Sequence, residues 1–112
     1  MAAFLLHRAA ERFYHCVLLV RTLYSPKTHN LSRLRQLSED MEPSLKAVWP
    51  RESKFERRAF ELLREAYVKA RYSRQYRISE NELAWLSERI GTLQTLVRLA
   101  CEARIQQLAK AA

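Results

Sequence analysis

Glycine scarcity constrains the fold of this chain more than any other feature. Gly91 is the only glycine among 112 residues, whereas about 7% is usual in proteins. Antiparallel β folds use glycine in their tight turns, so the sequence nearly excludes an all-β fold. It also excludes a glycine-rich phosphate loop. Because 48% of the residues are hydrophobic, the chain can form a core, and we expect one all-α domain over residues 1–112.

Apolar residues recur at steps of three and four along most of the chain, which is the spacing of one helix face. Residues 1–24 form the first such stretch, and Pro26 ends it because the residue before proline avoids helical conformation. Asn30 and the capping boxes at residues 53–56 and 79–82 mark further helix starts. Short connections favour antiparallel neighbours. The pattern predicts an up-and-down antiparallel bundle of three to five helices.

The last predicted helix carries an apolar seam with heptad-like spacing. Such a seam allows a second interpretation, in which the chain is a structural subunit that pairs with itself or with another chain. A domain of this size has a modest core, so a homodimer that buries spare apolar surface is expected. The seam comprises Leu83, Leu86, Ile90, Leu93, Val97, Ala100, Arg104 and Leu108.

Cysteine usage and the N-terminal residues indicate the compartment. Cys16 and Cys101 form no CxxC or CxxH pair, so a structural zinc site has no support. We expect two buried free thiols in a reducing compartment. The longest apolar run, residues 16–20, is far too short for a membrane span, and no secretory signal is legible. The sequence therefore predicts a cytoplasmic protein without membrane contact, metal or cofactor.

Positive charge is concentrated in part of the chain. The formal net charge is +8. Residues 51–77 hold nine basic and four acidic side chains, whereas residues 78–112 hold four of each. Excess positive charge attracts anionic partners. Nucleic acid, a nucleotide and an acidic protein are each candidate partners for this charge. The alternative is that the charge serves solubility alone, without any partner.

Three polar residues of the first predicted helix share one stripe. His7, Glu11 and Tyr14 stand at positions i, i+4 and i+7. They form either the wall of a ligand pocket or a hydrogen-bonded contact between helices. His29 lies just before a predicted helix, where it either contacts phosphate beside free backbone N–H groups or orders its own loop.

Arginines and tyrosines alternate around the end of the third predicted helix. Arginine forks match phosphate oxygens and tyrosine rings stack on bases, so the segment predicts contact with a nucleotide or RNA. The alternative is a helix C-terminus that favours cations and tyrosines that anchor the next helix. No nucleophile stands near a base at a diagnostic spacing, so we predict no catalytic residue. The segment contains Arg71, Tyr72, Arg74, Tyr76 and Arg77.

Three segments resemble the signatures of HEPN domains, the small helical domains found beside minimal nucleotidyltransferases. Residues 4–14 resemble a hydrophobic pair followed by His, Gln, Ala and an acidic residue, with Arg8 where Gln is usual. Residues 23–31 resemble the connection aromatic-x-Pro-x-Thr-His-Asp/Asn-Leu, and residues 66–73 resemble the helix end Tyr-x-x-Ala-Arg-Tyr. The three come in family order and span most of residues 4–76.

The resemblance implies a HEPN-like bundle that acts as a binding module together with a nucleotidyltransferase domain or subunit. HEPN domains usually begin one helix before the His-Gln-Ala segment, so that first helix is expected to be missing here. A nucleotide or another polyanion is expected in a pocket lined by the first and third helices. Its wall would hold His7, Glu11, His29, Arg71 and Tyr72.

The resemblance also bears on ribonuclease chemistry. Ribonuclease members of the family, including toxins of toxin–antitoxin pairs, carry Arg, then four to six residues, then His. Here Tyr76 stands at the fifth place after Arg71, and no histidine follows His29. A ribonuclease toxin is therefore the least favoured of the three interpretations, and no other catalytic set is legible.

Overall fold

A computed structural model describes residues 2–111, and within them it contains four α-helices and one 3₁₀ segment but no strand. The predicted all-α fold is confirmed. The helices are α1 (Ala2–Thr22), α2 (Leu31–Met41), the 3₁₀ segment (Pro43–Val48), α3 (Lys54–Tyr72) and α4 (Glu80–Ala111). No helix in the described part of the chain is long and apolar enough to span a bilayer.

The predicted caps begin α2, α3 and α4. The Asn30 side chain accepts a hydrogen bond from the backbone three residues later, at 3.1 Å. Ser53 and Glu56 form a complete capping box. At the start of α4, Ser79 Oγ accepts from the Glu82 N–H at 3.0 Å, and Glu82 Oε1 accepts from the Ser79 N–H at 2.9 Å. Local hydrogen bonds of this kind satisfy the free N–H groups of a helix start.

Helix α1 ends at Thr22, earlier than the helix end that the sequence analysis predicted from Pro26. Leu23 has φ 61°, the left-handed conformation that costs a residue other than glycine about 1–2 kcal/mol. Its N–H donates to the Leu19 carbonyl at 2.9 Å, which closes the last turn of α1. The chain therefore leaves the helix before Pro26 exerts its effect.

Contacts between helix ends give the direction of each helix. Phe4, at the start of α1, packs on Tyr67 near the end of α3 at a centroid distance of 5.5 Å, so these helices run antiparallel. Leu6 and Leu83 line one shallow cavity at the starts of α1 and α4. Helix α4 therefore runs in the same direction as α1.

Helices α1 and α2 are also parallel, although short connections favour antiparallel neighbours. His29, just before α2, stacks on Tyr67, whereas Arg35 further along α2 lies over Phe60 earlier in α3, so α2 runs antiparallel to α3 and therefore parallel to α1. The segment between them returns along α1 before α2 begins, since Ser25 contacts His15 on α1. This extended return, which no local periodicity reveals, is the reason that the arrangement is not uniformly up and down.

The core lies where α1, α4 and the 3₁₀ segment meet. Trp49 is 2% exposed, and its Nε1 donates to the hydroxyl of the fully buried Tyr14 at 2.7 Å. Phe60 and Trp85 pack edge-on against Trp49 at centroid distances of 4.9 and 6.3 Å. The surrounding core includes Leu31, Leu34, Leu45, Leu63, Leu86 and Leu93.

The heptad-like seam of α4 faces this core. Leu86, Ile90, Leu93 and Val97 are buried, so packing within the chain occupies this part of the surface that the sequence offered for pairing, whereas Leu108 at the end of the seam is 48% exposed. The cysteines differ from expectation. Both are free thiols, but Cys16 is exposed and only Cys101 is partly buried, because Cys16 lies outside the buried stripe of α1.

Candidate functional site

Helices α1 and α3 and the segment before α2 meet in one polar and aromatic cluster. At its centre is Glu11, and we name it the Glu11 cluster. Its members come from three parts of the sequence that only the tertiary fold brings together. They are Phe4, His7, Arg8, Glu11, His29, Tyr67 and Arg71.

Glu11 carries a buried carboxylate with two partners. Its side chain is 3% exposed, Oε2 accepts from Arg8 Nη1 at 3.0 Å, and Oε1 accepts from His29 Nδ1 at 2.9 Å. Because the bond to the carboxylate requires a proton on His29 Nδ1, Arg8 Nη1 at 3.4 Å from that nitrogen is a close contact and not a hydrogen bond. Glu11 therefore neutralises Arg8 and ties the His29 loop to α1.

His7 is closed off from solvent inside the cluster. Its Nδ1 lies 3.4 Å from Glu11 Oε1 without hydrogen-bond geometry, and neither ring nitrogen has a partner among residues 2–111. Burial lowers the pKa of His7 below 6.5, although the Glu11 charge opposes part of that effect. The neutral ring therefore belongs to the folded state, and it has no exposed surface for the predicted ligand contact.

The lowered pKa of His7 predicts how stability depends on pH. Above pH 6.5 the ring is neutral in both the folded and unfolded states, so its contribution to stability is fully present. As pH falls towards the lowered folded pKa, the unfolded chain takes up the proton first, and this contribution is lost. We expect the free energy of unfolding, measured with urea, to fall less between pH 7 and pH 5 for His7→Gln than for the parent chain. Equal losses would contradict this account of His7.

Tyr67 joins the two halves of the cluster. The ring of His29 stacks on it at 3.9 Å with an interplanar angle of 11°. The Arg71 guanidinium lies 4.9 Å from the same ring, 4.5 Å from Phe4 and 5.0 Å from Tyr72. Arg71 Nε donates to the Tyr67 carbonyl at 3.1 Å. Three rings and one backbone carbonyl thus fix the position of this cation.

Arg71 differs from the other arginine of the cluster in its partners. Arg8 is paired with Glu11, whereas Arg71 forms no ion pair within residues 2–111 and is exposed. A guanidinium whose Nε is already engaged presents its remaining N–H groups as a planar fork. That fork matches two oxygens of a phosphate or carboxylate.

The predicted site residues fall into three places. His7, Glu11 and His29 meet in the Glu11 cluster, and Arg71 and Tyr72 lie at its exposed edge. Tyr14 is instead a core residue because its hydroxyl is buried against Trp49, and that burial raises its pKa. Lying on the same stripe as His7 does not place Tyr14 in the site, because the inward face of α1 continues from the cluster into the core.

Arg74 and Tyr76 lie in the connection between α3 and α4, away from the cluster contacts. The Tyr76 hydroxyl donates to the Leu62 carbonyl at 2.6 Å, and burial raises its pKa to about 12. Arg74 is exposed, and its carbonyl accepts from Arg77 Nη1 at 2.6 Å. Tyr76 therefore ties the connection to α3 and lines a separate cavity of about 380 Å³.

Sequence reasoning missed three members of the cluster. Phe4 and Tyr67 supply two of its aromatic rings, and Arg8 supplies the partly exposed cation that pairs with Glu11. Tyr67 stands four residues before Arg71 on α3, so the two share a helix face, and that spacing was a usable signal. Nothing local to Phe4 indicates that Arg71, 67 positions later, lies over its ring.

His7 and Glu11, in the interior of the Glu11 cluster, are 0% and 2% exposed. A ligand is therefore left with the exposed rim, where the His29 side chain is 50% exposed and the Arg8 side chain is 35% exposed. Arg71 and Tyr72 complete this rim. Such a surface can hold an anion between cations and stack a planar group on a tyrosine.

Comparison with known proteins identifies the family. No curated protein matches the chain. The family model for the HEPN domain matches residues 1–99 of the 112, a range that includes the whole Glu11 cluster and most of α4. Together with the all-α bundle, this match shows that the chain belongs to the HEPN domain family.

Proposed function

We propose that this HEPN domain binds a nucleotide, or another phosphate-bearing polyanion, at the exposed rim of the Glu11 cluster. The observation that supports this proposal is the environment of the Arg71 side chain. Its guanidinium is exposed, is held by three aromatic rings and the Tyr67 carbonyl, and has no ion-pair partner within residues 2–111. A cation fixed in this way loses little side-chain entropy when it binds phosphate.

The rim also offers a place for a base. Tyr72 is 73% exposed and lies 5.0 Å from the Arg71 guanidinium. A base stacked on this ring would leave its attached phosphate within reach of the arginine fork, and stacking of this kind contributes about 1–3 kcal/mol per base. His29, which Glu11 and Tyr67 hold in place, adds a half-exposed ring at the same rim.

The charge of the whole chain supports an anionic ligand. A net charge of +8 raises the local concentration of anions and speeds their association. We also propose that the domain works beside a nucleotidyltransferase domain or subunit. The association of HEPN domains with such enzymes supports this partnership, since both components would then handle nucleotides.

We expect Arg71→Ala to weaken ATP binding by about tenfold or more, because hydrogen bonds to charged groups contribute about 1.5–3 kcal/mol. Isothermal titration of the full chain measures this effect. Arg98→Ala is the matched control, since Arg98 is an exposed arginine of α4 outside the rim. Removing the same charge there is expected to change the affinity less than twofold.

Two results would contradict the proposal. One is the absence of measurable heat with ATP, GTP or a short RNA. The other is an equal loss of affinity in Arg71→Ala and Arg98→Ala, which would indicate general attraction to a basic protein. Circular dichroism of both variants checks that the helices remain folded.

A further inference from the structure

A cavity of about 320 Å³ lies beside the ends of α1 and α2, and we name it the α1–α2 cavity. Its volume falls at the lower end of the roughly 300–1,000 Å³ that small-molecule sites occupy. Four apolar side chains form most of its lining, namely Leu18, Pro26, Leu37 and Met41. No member of the Glu11 cluster lines it, so the molecule has a second concave surface that the proposed function does not use.

Residues of α2 line the cavity along a single stripe. Arg33, Leu37 and Met41 stand four positions apart, so they share one face of the helix. The eight residues from the first to the last of them span about 12 Å of helix. Because helical side chains lean towards the helix start, the guanidinium of Arg33 marks the end of the stripe nearest the start of α2. The stripe is therefore charged at one end and apolar over the rest of its length.

The rest of the wall comes from the end of α1 and the segment after it. Leu23, with φ 61°, ends α1, and the chain then returns along the helix, so that Tyr24 and Pro26 line the cavity. The left-handed conformation is costly for leucine, and costly backbone conformations cluster at binding and active sites. A specific backbone conformation therefore shapes the cavity, and not a loose fit between two helices.

The cavity contains one cation without a partner. Among residues 2–111, Arg33 is the only charged residue that lines it. Arg33 is exposed, and its guanidinium forms neither an ion pair nor a hydrogen bond with any of these residues. Thr22 differs, because its hydroxyl donates to the Leu18 carbonyl at 2.6 Å and accepts from the Tyr24 N–H at 3.2 Å. A ligand therefore meets an unpaired guanidinium beside an apolar wall.

We propose that the α1–α2 cavity binds a small amphipathic carboxylate, a free molecule of the medium-chain fatty acid class. Its carboxylate pairs with Arg33, whose planar fork matches two carboxylate oxygens, near the start of α2, where the helix dipole favours negative charge. Its chain lies along Leu37 towards Met41. Because carbon–carbon bonds are about 1.5 Å long, an extended chain of about eight carbons fits within the stripe of about 12 Å.

The single cation favours a carboxylate over other classes of ligand. A phosphate monoester carries a charge of about −1.5 to −2 at pH 7, so Arg33 would balance only part of it beside an apolar wall, where an unpaired charge is costly. A neutral apolar molecule would gain nothing from the guanidinium. The α1–α2 cavity and the rim of the Glu11 cluster are therefore expected to select different anions.

Nuclear magnetic resonance of the Met41 methyl group tests the proposal, because Met41 lines the cavity and the chain contains only two methionines. The full chain is titrated with sodium octanoate below its micelle concentration, and we expect the Met41 signal to shift and saturate. Butyrate is expected to bind at least tenfold more weakly, because each buried methylene group strengthens binding by up to about fourfold. Octan-1-ol, which lacks the charge, is also expected to bind more weakly than octanoate.

Two matched variants separate a specific ion pair from general attraction to a basic protein. Arg33→Gln is expected to weaken octanoate binding by about tenfold or more and to change octanol binding less than twofold. Lys27→Gln removes an exposed cation of the same connection that does not line the cavity, and it is expected to change octanoate binding less than twofold. A Met41 signal that does not move, equal losses in the two variants, or octanol that binds as tightly as octanoate would overturn the proposal.

Discussion

Replacing Trp49 with alanine is expected to lower the free energy of unfolding by about 3–5 kcal/mol, the range for a large aromatic residue removed from a core. Trp49 is 2% exposed and packs edge-on against Phe60 and Trp85. Its removal leaves a cavity where the 3₁₀ segment meets α1 and α4, and it leaves the buried Tyr14 hydroxyl without its donor. Urea unfolding followed by circular dichroism measures the loss.

Tyr14→Phe separates the hydrogen bond from the packing at this position. It removes the acceptor of the Trp49 N–H and keeps the ring, so the expected loss is the roughly 1–3 kcal/mol of an unsatisfied buried donor. A loss below about 1 kcal/mol for Trp49→Ala would show that the tryptophan is not the centre of the core.

Glu11→Ala is expected to lower the free energy of unfolding by about 1.5–3 kcal/mol, because hydrogen bonds to a charged group contribute about this much. Glu11 is the acceptor for both Arg8 and His29. The loop that precedes α2 should therefore lose its tether to α1. Hydrogen exchange at residues 25–30 is expected to rise more than exchange in α4.

Glu61→Ala is the matched control for Glu11→Ala. Glu61 is also paired with an arginine, Arg64, but the pair is exposed, and surface pairs contribute about 0–1 kcal/mol. Equal losses in the two variants would contradict the central position given to Glu11. So would unchanged exchange in the loop of Glu11→Ala.

A structural feature could be predicted from the sequence where the interactions that determine it are local. Capping at Ser53 and Ser79 depends on residues three positions apart, so the starts of α3 and α4 could be predicted from spacing alone. The end of α1 could not be predicted in this way, because it depends on the left-handed conformation of Leu23. Leucine is not a residue type that indicates this conformation. The parallel course of α1 and α2 depends on an extended return that has no periodicity.

The candidate site shows the same division. His7 and Glu11 share a turn of α1, and Arg71 and Tyr72 adjoin on α3. Their meeting required the stacking of His29 on Tyr67, 38 positions away in the sequence. Tyr14 lies on the same stripe as His7 but belongs to the core, because Trp49, 35 positions later, donates a hydrogen bond to its hydroxyl. Packing across long separations decided both outcomes.

In the proposed function, Arg71 is a fixed phosphate fork at the rim of the Glu11 cluster. Nuclear magnetic resonance of arginine side-chain Nε–Hε groups, recorded during titration of the full chain with ATP and in parallel with adenosine, tests it most directly. We predict that the Arg71 signal shifts and saturates with ATP, shifts little with adenosine, and moves more than the Arg98 signal. An Arg71 signal that stays in place, or moves no more than that of Arg98, would contradict the account.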